Sequence, residues 1–550
     1  MCGIWALINN TNLTKDDLIK YLTNFWNIKH RGPDNSCLES LDNVYFGFHR
    51  LAIMDTTISS NQPYILNNND TTIVFICNGE IYNYAEIDKK YDLNIGSRDC
   101  LTIPKLYMKM EMNQWIDLFK NQIKGEFAFM LFEFKNNKLE KYFVGRDMIG
   151  VRPLYVNQEN NLYSSEIKGM KYYKGTVSEF PPGTIRINNL DSFVTKDFST
   201  IYNHTFLTSN DILASIKTSV YNSIERRLTA DRPIAFLLSG GVDSSLVAAI
   251  SSKLLGKQIR TFCCGIKGST DMKYAQLVAN HIGSLHTEVY FTEEEGLAVI
   301  DNVIKTVESW DTTTIRASVG QYIVSRYISQ NTDCKVVLVG EGPDEVCSSY
   351  LFNYYAPSSS ALHETAEEYV KNIHIFDGKR ADRCIARWGM EARIPFLDPE
   401  FINTYWDINP ELRDPKNNNN IEKYLLRKVF DNMDLLPDQV LWRKKEAFSD
   451  GVSGTEKSWY KVIQDYVETK VYISTEFVSN IKFAHLNEKT MIILEDISLE
   501  AIYYKFLFRK HFGNNRDNII PYYWQPKWDK DGNIITSYVD PSARTLTVYE

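Results

Sequence analysis

Over the first 187 positions, short runs of apolar, β-branched and aromatic residues at 44–48, 72–77, 127–132, 142–144 and 162–165 are set off by turn residues. That texture predicts strands. Apolar residues recur at helical spacing across 15–27 and 99–109, which predicts two helices among them. Beyond position 210 the pattern changes: helical stretches at 212–227, 244–255, 274–282 and 318–329 alternate with apolar runs at 234–238, 259–264 and 335–339. Such alternation is the βαβ signature of a parallel sheet covered by helices. The expected organisation is an α+β domain over 2–190, a polar linker over 191–209 and an α/β domain over 210–511. The Asn-, Asp- and Pro-rich tail, 512–550, is expected to be loosely packed.

At 550 residues the chain accommodates two large domains. Lys and Arg number 61 against 69 Asp and Glu, a net charge of −8, which argues against nucleic acid or an anionic membrane surface as a partner. The longest apolar runs, 234–238 and 246–250, fall far short of the ~20 residues that span a bilayer. The N-terminus lacks the basic region of a secretory signal. Nine scattered cysteines without Cys-x-x-Cys spacing signal neither a disulfide framework nor zinc, and a reduced, cytoplasmic compartment is expected.

Cys2 is set apart by its position. Removal of Met1 would place its thiol beside the chain's own α-amine, so that one residue supplies both nucleophile and base. Acyl transfer also needs donors for the oxyanion. Asn78 and Gly79, placed by the pattern just past the strand at 72–77, offer a side-chain amide and an unobstructed backbone N–H. Arg50 and Asp99 suit the carboxylate and the ammonium of an α-amino acid. Taken singly, Asn78-Gly79 also reads as a hairpin turn and Arg50 as a surface ion-pair former.

Together with Met1-Cys2-Gly3-Ile4, the strings His30-Arg31-Gly32-Pro33-Asp34, Gly47-Phe48-His49-Arg50-Leu51-Ala52-Ile53, Asn78-Gly79-Glu80-Ile81-Tyr82-Asn83, Ser97-Arg98-Asp99 and Gly145-Arg146-Asp147 resemble class II glutamine amidotransferase domains in kind and order. The resemblance implies an N-terminal nucleophile hydrolase fold, two antiparallel sheets face to face between helices. It implies Cys2 as nucleophile, Asn78 and Gly79 as oxyanion hole, and Arg50, Leu51, Ile53, Asn78, Gly79, Glu80 and Asp99 around glutamine.

In the second half, the run 234–238 leads into Ser239-Gly240-Gly241-Val242-Asp243-Ser244-Ser245 and then an apolar helix. Paired glycines and hydroxyls at a strand-to-helix turn make a phosphate cradle. The Walker lysine is absent, so the usual γ-phosphoryl machinery is missing. The loop resembles that of ATP pyrophosphatases, which release pyrophosphate as a unit. Gly340-Glu341-Gly342-Pro343-Asp344-Glu345 puts three carboxylates at the end of another strand, where open α/β sheets bind ligands. Asp243 and Asp344 are candidate Mg²⁺ ligands, although a solvated acidic turn explains the second string equally well.

With 311–318 and 388–398, the whole chain resembles glutamine-hydrolysing asparagine synthetases. That resemblance implies ATP as substrate, with Leu238, Ser239, Gly240, Gly241, Asp243, Ser244, Cys264, Val339, Gly340 and Lys445 about the nucleotide and pyrophosphate. It implies Glu341 in adenylate formation, Thr313, Thr314 and Arg316 near aspartate, a passage for ammonia between two sites, and a possible homodimer. Val339, Cys264, Pro343 and 347–350 depart from the common pattern. Two rivals remain: a β-lactam-forming or other adenylating relative acting on a different carboxylate, and a catalytically silent binding protein of the same fold.

Overall fold

The computed structural model describes residues 1–8, 14–171, 173, 175–188, 191–194, 208–444, 451–453, 457–470 and 497–542. In the first domain, β1 (Gly3–Ile8), β2 (Asn35–Leu41), β3 (Val44–Arg50), β8 (Tyr155–Asn157), β9 (Leu162–Ser164) and β10 (Val177–Glu179) form one sheet in the order β10-β8-β9-β1-β3-β2. A second sheet runs β12-β11-β7-β6-β5-β4, built from β4 (Tyr64–Asn68), β5 (Thr71–Ile81), β6 (Gly125–Lys135), β7 (Lys138–Arg146), β11 (Thr184–Ile187) and β12 (Asp191–Val194). All pairings in both sheets are antiparallel.

The twofold period of strands sorts their side chains. Val74 and Ile76 of β5 face inward, against Ile4, Ala6, Phe46 and Phe48 of the other sheet. Ile73, Phe75 and Cys77 face outward, where Leu106, Trp115 and Phe119 from helices Thr102–Lys109 and Met112–Asn121 cover them. On the far side, Trp5 and Leu7 pack with Phe25 of helix Lys15–Trp26. This is the expected sandwich of two sheets between helices. The start of the expected linker is sheet, since 191–194 pair with β11; 195–207 lie outside the described residues.

The second domain carries a parallel sheet of β13 (Ile234–Leu237), β14 (Arg260–Gly265), β15 (Leu285–Tyr290), β16 (Val336–Leu338) and β17 (Glu391–Arg393), ordered β15-β14-β13-β16-β17. Order reverses between β13 and β16, so the crevice beyond their carboxyl ends is the natural ligand position. The two phosphate-loop strings lie there, one after each strand.

Over its described part, 512–542, the C-terminal segment does not lie loosely, as its composition suggests; 543–550 lie outside the described residues. Ile519, Ile520, Tyr523, Trp528 and Tyr538 are buried. Asp540 accepts two hydrogen bonds from Arg316, Trp524 N–H donates to Asp311 Oδ1, and Arg516 donates to the carbonyls of Tyr173 and Gly175. The segment thus straps both domains.

Candidate active sites in the two domains

Cys2 immediately precedes β1, whose first residue, Gly3, pairs with His49 near the end of β3. Its thiol accepts a hydrogen bond from Leu51 N–H at 3.4 Å. Burial pushes that thiol up to about 11, while burial draws the α-amine of Met1 down to about 6. At neutral pH a thiol so placed needs a proton acceptor; the Met1 amine donates to Met390 O, and release of Met1 is what would put an α-amine on Cys2 itself.

A small cavity of about 30 Å³ is lined by Cys2, Arg50, Leu51, Ile53, Gly79, Glu80 and Asp99 among others. Residues separated by almost a hundred positions therefore converge on one cavity. Arg50 closes β3, its guanidinium held by Thr57 O and Asn61 Oδ1 at 2.6 and 2.7 Å. Asp99 Oδ2 accepts from Ile81 N–H at 2.9 Å, and burial pushes its carboxyl up to about 6. Glu80 is raised more strongly, by burial and by Asp99 and Glu391 nearby.

Asn78, Gly79 and Glu80 do not follow the strand; they belong to it, paired with Ala128, Phe127 and Glu126. A Cβ on Gly79 would stand 2.5 Å from Glu126 O, so the close pairing itself demands glycine. Asn78 is wholly buried, and neither end of its amide has a partner. Asn78 is not among the residues that line the cavity, whereas its strand neighbours Cys77, Gly79 and Glu80 are; a buried orphan amide is what an oxyanion would satisfy.

Other residues of the same motifs are framework. Asp147 accepts from the N–H groups of Gly150, Val151 and Arg152, and Arg146 donates to the carbonyls of Gly150, Arg152 and Phe180. Asp34 Oδ2 accepts from Ala52 N–H, fixing the turn after β3.

The second site is a cavity of about 150 Å³ at the β13/β16 crevice. Leu238, Ser239, Gly241, Asp243, Ser244, Cys264, Gly340, Glu341 and Asp344 line it. Ser239 Oγ and Ser244 Oγ are 3.0 Å apart, and Ser244 Oγ accepts from Ser239 N–H, which folds the loop onto the N-terminus of helix Val242–Leu255. Gly240 adopts φ +77° and lies against the backbone of Ala275. Its carbonyl accepts from Arg443. Glu341 Oε1 accepts from Gln321 Nε2 and Arg380 Nη1, both at 3.0 Å, and burial raises its carboxyl.

Five expected residues stand off the cavity wall, Gly240 and the four that follow. Val339 is fully buried in the core, its N–H donating to Arg393 O, and does not line the cavity. Thr314 donates to Asp311 Oδ2, the N-cap of helix Thr312–Asn331. Thr313 is absent from the cavity wall, and its hydroxyl is buried without a partner. Arg316 is committed to Glu500 and Asp540 and stacks on Tyr460, so aspartate is not its partner in this arrangement. Lys445 lies outside the described residues.

The fold contributes side chains that no local string announces: Gln321, Asp377, Arg380 and Lys423 also face the cavity, together with Arg443 from the basic run that precedes Lys445. Lys423 is the most telling. Its ammonium pairs with both Asp243 and Asp344, and although burial opposes its charge, those carboxylates raise it. Asp243 and Asp344 therefore converge on one cationic position. Among the described residues, no group of three or more His, Cys, Asp or Glu is arranged to hold a metal ion. No described helix is long and apolar enough to cross a membrane.

Comparison with known proteins agrees with this two-site geometry. Residues 1–221 match the family model for the glutamine amidotransferase domain, and 215–368 with 356–489 match that for asparagine synthase. The chain is 36% identical to the Bos taurus protein named asparagine synthetase [glutamine-hydrolyzing], with 100% of this chain and 99% of that one covered. Those of Homo sapiens and Gallus gallus, likewise so named, are 37% and 35% identical at the same coverage.

Proposed function

The chain belongs to the glutamine-hydrolysing asparagine synthetases, and on that premise we propose how its own residues form L-asparagine from L-aspartate, ATP and glutamine. The carrying observation is the pair of separate cavities, one around Cys2 and one around the 239–245 and 340–345 loops.

In the first, release of Met1 leaves the amine on Cys2, which takes the thiol proton. The thiolate attacks the glutamine side-chain carbonyl, and the oxyanion accepts hydrogen bonds from Asn78 Nδ2 and Gly79 N–H. A single donor of this kind contributes roughly 2.7–4 kcal/mol to the transition state. Collapse expels ammonia, and water then hydrolyses the thioester to glutamate. Arg50 and Asp99 hold the substrate's carboxylate and ammonium.

In the second, the aspartate side-chain carboxylate attacks the α-phosphorus of ATP, and pyrophosphate leaves into the cradle of Ser239, Gly241 and Ser244. Ammonia attacks the resulting acyl adenylate, giving asparagine and AMP. With Thr314 and Arg316 otherwise engaged, Asp377 and Arg380 are the charged pair suited to aspartate's ammonium and carboxylate. Glu341, held between Gln321 and Arg380, orients aspartate or takes the proton from incoming ammonia. Asp243 and Asp344 are the residues that would hold Mg²⁺, since both already point at one cation; the ion would neutralise pyrophosphate charge. We place this chemistry in the cytoplasm and leave open a homodimer.

The test is an assay of amino-acid and nucleotide products with aspartate, MgATP and either glutamine or ammonium. Asparagine, AMP and pyrophosphate are expected; ADP and phosphate in the ³¹P spectrum would refute the mechanism.

A further inference from the structure

Arg31 joins the two sites by a short path. Its Nε donates to the carbonyl of Cys2 at 2.9 Å. Its Nη1 and Nη2 donate to the two oxygens of Asp382 at 2.8 and 3.0 Å, a bidentate pair wholly inside the protein. Asp382 belongs to helix Asp377–Ala386 of the second domain. On that helix Arg380 stands two residues earlier, which at 100° per residue puts it on nearly the opposite face. One face thus holds Arg31, which Glu166 also engages at 2.7 Å and which in turn holds the carbonyl of Cys2, and the other face holds Glu341 in the nucleotide cavity.

We propose that Asp382 is a positioning residue through which the occupancy of the nucleotide cavity sets the reactivity of Cys2; this rests on the two-site reading above. The physical warrant is the shared rigid element. When aspartate's carboxylate draws Arg380 away from Glu341, the helix shifts as a body, and Asp382 carries Arg31 and the Cys2 carbonyl with it. The geometry of a bidentate pair transmits such a shift because both its oxygens are fixed. Where one ligand alters a distant site, the effect is a free energy shared between two states of a linking element.

The experiment measures glutamate release by the full chain with and without saturating MgATP and aspartate, in wild type and in Asp382→Asn. The wild-type rate is expected to change by at least about fivefold on adding both ligands, the lower end of ordinary couplings. Asp382→Asn is expected to lose that response while still forming asparagine from ammonium; Asp382→Glu, which keeps the charge, regains part of it. A residue serving only stability would lower the rate equally with and without ligands, and that outcome overturns the proposal. If Asp382→Asn does not fold, wild-type protein carries the test through the alkylation rate of Cys2 by iodoacetamide, read by mass spectrometry. A rate unchanged by MgATP and aspartate overturns the proposal. A wild type that forms no pyrophosphate from aspartate, MgATP and ammonium overturns the two-site reading itself, a distinguishable failure.

Discussion

Gly340→Ala isolates the contribution of one close approach. Gly340 lies at the end of β16, where an added Cβ would stand 2.6 Å from Ser244 N, 2.8 Å from Ser244 Cα and 3.0 Å from Asp243 C. All three are backbone atoms in the first turn of helix Val242–Leu255, so no side-chain rotation relieves the contact. Restoring an ordinary separation of 3.4 Å requires the two loops to part by about 0.8 Å. Gly340 has no left-handed φ, so the cost comes from this approach alone. The displaced groups belong to the proposed pyrophosphate cradle. A misplacement of about 1 Å costs on the order of 100-fold in rate, or about 2.7 kcal/mol of barrier. Pyrophosphate release with saturating aspartate and ammonium should fall by that factor, while glutamine hydrolysis in the same preparation stays near wild type. A pyrophosphate rate within about threefold of wild type would show that the cradle tolerates the shift, and the geometric argument would be wrong.

Cys2→Ala should abolish glutamate release and glutamine-dependent synthesis while ammonium-dependent synthesis persists; loss of both in folded protein would refute separate sites. Arg316→Ala strands the buried Glu500 carboxylate and should destabilise the chain by about 3–5 kcal/mol, measured by denaturant titration, with an unchanged KM for aspartate at low temperature. A raised KM with unaltered stability would return Arg316 to the substrate site. Because burial lifts Asp99 to about 6, its carboxylate is lost as pH falls through that value, and the KM for glutamine should climb below it. A KM that stays flat from about pH 8 to about pH 5 would remove Asp99 from the ammonium clamp.

Chemistry carried by contiguous strings is legible in the sequence alone. The 239–245 loop needs its glycines and hydroxyls within one turn, and Gly340, Glu341 and Asp344 follow a strand directly, so neighbours in sequence remain neighbours in space. Lys423, Arg380, Asp377 and Gln321 come from separate helices, and only the closed fold shows that they meet. The string at 311–318 misleads for a physical reason: Asp, Thr and Arg suit substrate contacts, yet Asp311 and Thr314 cap a helix and Arg316 clamps the C-terminal segment. Asn78, Gly79 and Glu80 look like a turn because they are polar, but pairing with β6 carries the strand through to Ile81. In the tail, abundant Asn, Asp and Pro mask Tyr523, Trp528 and Tyr538, which anchor it.

Between the domains lies a buried lattice of charge. Glu126 and Arg152 of the first meet Arg227, Glu391 and Asp398 of the second, and Glu80 reaches Arg393 at 3.5 Å. Cutting the chain into halves would break the crossing pairs Arg152–Glu391, Arg227–Glu126 and Arg393–Glu80 and leave Glu80 without its counter-ion, and removal of one partner from a buried pair costs about 3–5 kcal/mol. A chimaera that joins this amidotransferase half to a foreign synthetase must therefore transplant complementary charges on both faces. Similar outlines with mismatched signs would produce halves that fold yet do not dock.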